Sequence, residues 1–165
     1  MTIRTRIAVV GVGNDFRRDD GVGWAVIGRL RKRAADRALP ADTVLATCDG
    51  DPVRLMELWE GADLAVVVDA AHAHPSRPGL VHRLELDAGG LGRATTSSHG
   101  LGLGEAVELA RVLGRLPRRL VVYAVEGADS SLGTGLSEPV EAVIGPLTED
   151  VEAETARQRD AAAHG

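Results

Sequence analysis

Cysteine is almost absent. The single Cys48 has no partner for an internal disulfide and excludes an all-cysteine zinc site. Aromatics are scarce too, at 2% of 165 residues, so a core has to be assembled from Val, Leu, Ile and Ala. Basic charge is not in excess: Lys and Arg number 19 against 24 Asp and Glu, a net charge of -5. A protein built to grip nucleic acid concentrates a basic face, so no nucleic-acid partner is expected. Long apolar runs are missing as well. Stretches such as Leu64–Val68 fall far short of the roughly 18 residues of a spanning helix, and no membrane insertion is expected. The opening MTIRTRIAVVGVGN places basic residues before an apolar run, but glycines cut that run short and no cleavage pattern follows. It reads as a first strand, and the expected location is the cytoplasm.

What is present is an alternation. The length fits one domain over 1–165, with a tail expected to fray from about residue 157. Ile7–Val12, Thr43–Cys48 and Leu64–Val68 are continuous apolar runs of strand type, the third ending at Asp69; Leu120–Val125 is the last. Val81, Leu84 and Leu86, with His82 between them, mark a further strand of open register. Between the strands, apolar residues recur every three or four positions over Gly21–Ala35 and Leu101–Leu113. Asp51 and Pro52 open another helix as N-cap and first residue. Ser137 is expected to cap a last helix through Val140, Val143, Leu147 and Val151, kinked at Pro146. This alternation predicts an α/β fold: a three-layer α/β/α sandwich around a twisted, mostly parallel sheet of about five strands. There is no internal repeat. Charge is uneven: residues 1–37 carry nine Arg or Lys and four Asp or Glu, residues 138–165 two and seven.

In such a sheet, ligands gather at the carboxyl ends of the strands. After the first strand comes GVGNDFRRDDG, residues 11–21. Its Gly11-x-Gly13 invites a dinucleotide reading, but Phe16 replaces the third glycine. Asp19 and Asp20 would also repel a pyrophosphate. No Walker lysine is present, and no G-x-S-x-G elbow carries Ser97 or Ser98.

Asp20, Asp69 and His99 form a better constellation, since two carboxylates and an imidazole make a donor set for a divalent metal. Each has a plainer reading. Asp20 also suits an N-cap, Asp69 a turn cap, and His99 a hydrogen bond to backbone at the start of a helix. His72 and His74 flank the same edge and read as a polar rim; Cys48 reads as a small core residue.

GVGNDFRRDDGVG at 11–23, VVVDA at 66–70 and SSHGLGLGEAVELA at 97–110 resemble the hydrogenase maturation proteases, over roughly residues 7–147. These endopeptidases finish the large subunit of nickel–iron hydrogenases. The resemblance implies a mostly parallel sheet between helices, with Asp20, Asp69 and His99 as the metal-binding and catalytic residues. Some members carry Glu where this chain has Asp20. The implied partner and substrate is a nickel-loaded large-subunit precursor, cut near its C-terminus. The implied cofactor is nickel, bound by the enzyme or supplied by the substrate, with another divalent metal as the alternative. Gly11, Gly13 and Asn14 would position the substrate chain, and the Ser97–Ser98 turn or a carbonyl would orient His99. Arg17, Arg18 and the His72/His74 rim are expected to help dock a protein. Two other classes stay open: a maturation chaperone that binds nickel or precursor without cutting it, and a small nucleotide-binding enzyme.

Overall fold

The structure, a computed structural model, describes residues 5–87 and 103–164. Its centre is β1 (Ile7–Val12), in which every residue is buried. Strands covered on both faces need apolar residues at every position, which explains why this run shows no alternation. β1 lies between β2 (Thr43–Cys48) and β3 (Leu64–Ala71), both parallel to it. β5 (Arg119–Glu126) runs parallel to β3, and β4 (Val81–Asp87) closes the edge antiparallel to β5. The order is β2-β1-β3-β5-β4. The sandwich expected from the alternation is present.

The sheet register divides the apolar residues between two layers. Val9, Val66 and Tyr123 face α1 (Val22–Arg33) and α5 (Ile144–His164), where Ile27, Leu30, Leu147 and Val151 meet them. Val10, Val67 and Val122 face α2 (Pro52–Trp59) and α3 (Gly104–Leu113), against Leu55, Trp59, Ala106 and Ala110. Each buried aliphatic side chain of this kind contributes roughly 1.5–3 kcal/mol. α1 presses on the strand ends. A Cβ on Gly23 would collide with the Val68 carbonyl oxygen, and one on Gly11 with the Gly23 carbonyl oxygen. The two glycines therefore set the height of α1 above the end of β1, and with it the place of the loop between them.

Several details differ from the sequence reading. β3 does not end at Asp69. Ala70 pairs with Val125 and Ala71 with Glu126, so the strand runs two residues further. The last helix is two pieces, α4 (Glu138–Glu141) and α5, separated at residues 142–143. Pro146 thus stands in the first turn of α5, where a missing N–H breaks no helical bond. Ser137 precedes α4 but its side chain makes no cap bond; its hydroxyl donates to Asp19 Oδ2 at 2.8 Å. The tail expected to fray from residue 157 is helical to His164. Gln158 Oε1 accepts from Arg119 Nη1 at 2.7 Å, and Arg157 pairs with Glu154 at 3.2 Å, tying these turns to β5 and to α5 itself. Among the described residues no helix is long and apolar enough to cross a membrane.

Candidate active site

The two acids that follow β1 have opposite environments. Both lie in a 3-10 turn, Arg18–Gly21, that leads directly into α1. Asp19 is 2% exposed. Its Oδ1 accepts from the Ser137 N–H at 2.7 Å, and its Oδ2 from the N–H groups of Ala128 and Asp129 at 2.7 and 3.1 Å and from the Ser137 hydroxyl. Burial alone would push this carboxyl up; the bonds donated by Ser137, Ala128 and Asp129 outweigh it and hold the group below the ordinary aspartate value. Asp19 fastens the loop after β5 to the loop after β1. No local pattern marks Asp19 for this part, because its partners lie more than a hundred residues away.

Asp20 is half-buried, on the rim of a cleft. It does not cap α1, whose N-cap is Gly21, without a side-chain bond. Its backbone is fixed instead: its N–H donates to Arg17 O at 3.0 Å, and its carbonyl accepts from Asn14 N at 3.2 Å. A Cβ on Gly13 would collide with that same carbonyl, and Gly13 has a φ of +138° that disfavours side chains. The Asp20 carboxylate stands 4.0 Å from His72 Nε2.

Asp69 lies inside β3, opposite Ala124 of β5, so it caps no turn at a strand end. It is 4% exposed, and its Oδ1 accepts from the Ala70 N–H at 2.8 Å. Burial pushes its carboxyl up to about 7; the Ala70 bond opposes this and the charge of Asp20 adds to it. The two acids therefore add to each other's charge, one buried in β3 and one in the turn ahead of α1. Such a pair asks for a cation.

His99, Ser97 and Ser98 lie outside the described residues. Among the described residues no three His, Cys, Asp or Glu side chains form a group able to hold a metal. A cleft of about 230 Å³ opens beside Asp20, lined also by His72, His74, Ser76, Gly127 and Asp129. The His72 side chain is more than half exposed, in keeping with a polar rim.

A pair that the sequence reading did not form stands at the same end of the sheet. His82 Nε2 is 2.6 Å from Glu126 Oε2, and Glu126 Oε1 accepts from the Arg77 N–H at 2.9 Å. The Arg77 and His82 bonds hold Glu126 below the ordinary glutamate value, against burial. The signal was available only as a histidine opening one strand and an acid closing the following, apolar one.

Cys48 is buried, its Sγ accepting from the Gly50 N–H at 3.4 Å, and burial pushes the thiol up. It is an inert core residue. The loop after β1 has no phosphate cradle either. The N–H groups of residues 13, 14 and 16–20 are already paired within the protein, to Cys48, Asp20, Asn14, Gly133, Asp129 and Arg17. A pyrophosphate needs such groups open.

The family described as hydrogenase maturation protease (HycI) matches residues 30–154. The chain is 28% identical over 147 residues to hydrogenase 2 maturation protease of Escherichia coli (strain K12), covering 88% of each. It is 30% identical over 144 residues to the hydrogenase expression/formation protein HupD of Bradyrhizobium diazoefficiens, covering 86% of this chain and 73% of that one. Its fold superposes on the hydrogenase maturating endopeptidase HybD from E. coli with a TM-score of 0.72 and 27% identity, over 93% of both chains. The chain is therefore an enzyme that hydrolyses peptide bonds, and it belongs to the hydrogenase maturation protease family.

Proposed function

We propose that this protein is a cytoplasmic, metal-assisted endopeptidase that removes the C-terminal peptide from a nickel-loaded nickel–iron hydrogenase large-subunit precursor. The observation that carries the reading is the pair Asp20 and Asp69. A carboxylate that is 4% exposed, supported among the described residues by one N–H and raised further by the charge of Asp20, is costly unless a cation joins it. Two carboxylate donors and the imidazole of His99 suit a first-row divalent ion such as nickel, resident or carried in by the precursor. When bound, such an ion supplies polarisation of the scissile carbonyl and a more acidic water.

The chain's own residues do the rest. Asp69 holds its oxygens in place through the rigid register of β3. Asp20 meets the substrate from the open side, its backbone locked by Asn14 and Arg17. Gly11 and Gly13 act through shape, by letting α1 and the Asp20 carbonyl approach. Asn14 fixes the first turn of the loop, its Oδ1 accepting from the Phe16 N–H at 2.9 Å, and so positions the chain that meets the substrate. His99 completes the donor set.

The test is incubation with purified nickel-loaded precursor and mass analysis of the precursor's C-terminus. Wild type should release a single peptide, and His99→Ala should cut slower by well over the ~100-fold that marks loss of an outer-shell partner, with thermal unfolding unchanged. An intact precursor after incubation with wild type would leave a binding protein in place of the protease. Normal cutting by His99→Ala would remove His99 from the site.

A further inference from the structure

The chain has four aromatic residues, and three are engaged by the fold. Trp59 is fully buried, Tyr123 is buried with its hydroxyl on Glu154, and Trp24 donates its indole N–H to the Cys48 carbonyl. The fourth, Phe16, is 65% exposed. Beside it is Leu132, 73% exposed. Their backbones are brought to neighbouring register positions by a parallel bridge between Arg17 and Gly133, in which the Gly133 N–H donates to Phe16 O at 2.8 Å and the Arg18 N–H to Gly133 O at 3.1 Å. Asp19, one residue further on, fastens the same second loop at Ala128, Asp129 and Ser137.

The apolar pair is therefore mounted on a stitched double loop, not on loose chain. Both loops also reach the cleft: Asp20 lies in one, and Asp129 and Ser130 in the other. A rigid apolar pair loses little entropy when something covers it. Phe and Leu together offer roughly 200–300 Å², far below the ~800 Å² per partner of a stable dimer, so a second copy of this chain is a poor occupant. A polypeptide already anchored in the cleft needs only such a small patch.

We propose that Phe16 and Leu132 are the apolar anchor for the precursor polypeptide, seating an apolar side chain of the segment that leads into the cleft, with the exposed Arg17 favouring an acidic residue next to it. This rests on the precursor as substrate. The experiment measures the Kd of nickel-loaded precursor for wild type, Phe16→Ser, Leu132→Ser and the double variant, with KM and kcat for cleavage, thermal unfolding, and size exclusion. The double variant should raise Kd and KM tenfold or more, as loss of a buried interface anchor does, with kcat at saturation within about threefold. Phe16→Leu should keep most of the affinity, and Val112→Ser, an exposed apolar residue of α3, should change nothing. Unchanged Kd and KM in the double variant overturn the proposal, as does a loss confined to kcat. A wild-type dimer that the double variant breaks also overturns it, by assigning the patch to self-association. Should wild type bind precursor without cutting it, the protease reading fails while the Kd series still decides this one; should wild type not bind precursor at all, both fail.

Discussion

Glu154 and Asp69 are buried to nearly the same depth, 1% and 4% exposed, yet the protein treats them differently. Glu154, on α5, is surrounded by donors: Arg83 Nε at 2.6 Å, the Tyr123 hydroxyl at 2.9 Å and Arg157 at 3.2 Å. Burial would raise its carboxyl, but Arg83 and Tyr123 bring it below the ordinary glutamate value. Among the described residues Asp69, at the carboxyl end of the sheet, has one N–H donor, and burial and the charge of Asp20 raise it to about 7. The first carboxylate is completed by the fold. The second has a single N–H donor among the described residues, and in the proposed site a bound cation completes it. Asp19 belongs with Glu154 although it adjoins Asp20 in sequence. Satisfaction by protein donors, more than burial or acidity, separates the acids that hold the fold from those open to chemistry.

Asp69→Asn tests that contrast most severely. It keeps shape and the bond from Ala70 but removes the charge. Precursor cleavage should fall by about a thousandfold or more, beyond the 10–100-fold of an outer-shell loss. Stability should stay level or rise by up to about 2 kcal/mol, because an unpaired buried charge has been removed. Cleavage assays and denaturant unfolding on one preparation check both halves. A strongly destabilised variant would place Asp69 with Glu154 and erase the distinction.

Asp19→Ala comes next. It strips four hydrogen bonds from one carboxylate and releases the loop after β5. The expected loss is about 2–4 kcal/mol, with cleavage reduced some 10–100-fold through misplacement of Asp20. A fall in cleavage as deep as that of Asp69→Asn, at unchanged stability, would make Asp19 a ligand instead of a fastener.

Much of this architecture is legible in the sequence. β1 and β2 have the bounds that their sequence runs indicate; β1 is buried at every position, whereas β2, at the sheet edge, is marked by its Thr and Val. The extension of β3 through Ala70 and Ala71 is not legible: alanine has no strand preference, and only pairing with Val125 and Glu126 holds it there. Asp20 and Asp69 could be singled out because local pattern puts each after an apolar run. Asp19 and Glu154 could not. The partners of Asp19 stand 109 to 118 positions along the chain, and the hydrogen bonds that lower Glu154 come from Arg83 of β4 and Tyr123 of β5, with only Arg157 on its own helix. A helix cap is local and can be read; a carboxylate satisfied from across the fold cannot. Ser137 shows the limit in the other direction, since its cap pattern is overridden by Asp19.

Glu154→Gln is a smaller test, aimed at the satisfied side. The amide keeps the Tyr123 contact but weakens the pairing with Arg83, and stability should drop by about 2–3 kcal/mol with cleavage within twofold of wild type. The pH dependence carries the sign. The Glu154 carboxyl is lowered in the folded protein, so its contribution is fully present above the ordinary value of 4.5 and is lost as pH falls through the lowered value. Wild type should lose stability on acidification in that window more steeply than Glu154→Gln, measured by denaturant midpoints between about pH 3 and 6. Parallel curves would mean that Glu154 is not held as an ion by its neighbours.

The mildest expected effect belongs to Asp51, an exposed acid whose one side-chain bond is from the Val53 N–H at 3.2 Å at the start of α2. Here the carboxylate is neither deprived of water nor needed for chemistry. Asp51→Ala removes an N-cap and should cost about 1 kcal/mol, with Pro52 still fixing the first turn. Asp51→Ser, which keeps an acceptor for the same N–H, should recover most of that loss. Cleavage should stay at the wild-type rate in both, since α2 packs on the sheet layer through Leu55, Met56 and Trp59 and not through its first turn. A loss well above 2 kcal/mol in Asp51→Ala, unrecovered by Ser, would show that charge counts at this exposed position. Satisfaction by donors alone would then no longer rank the acids of this protein.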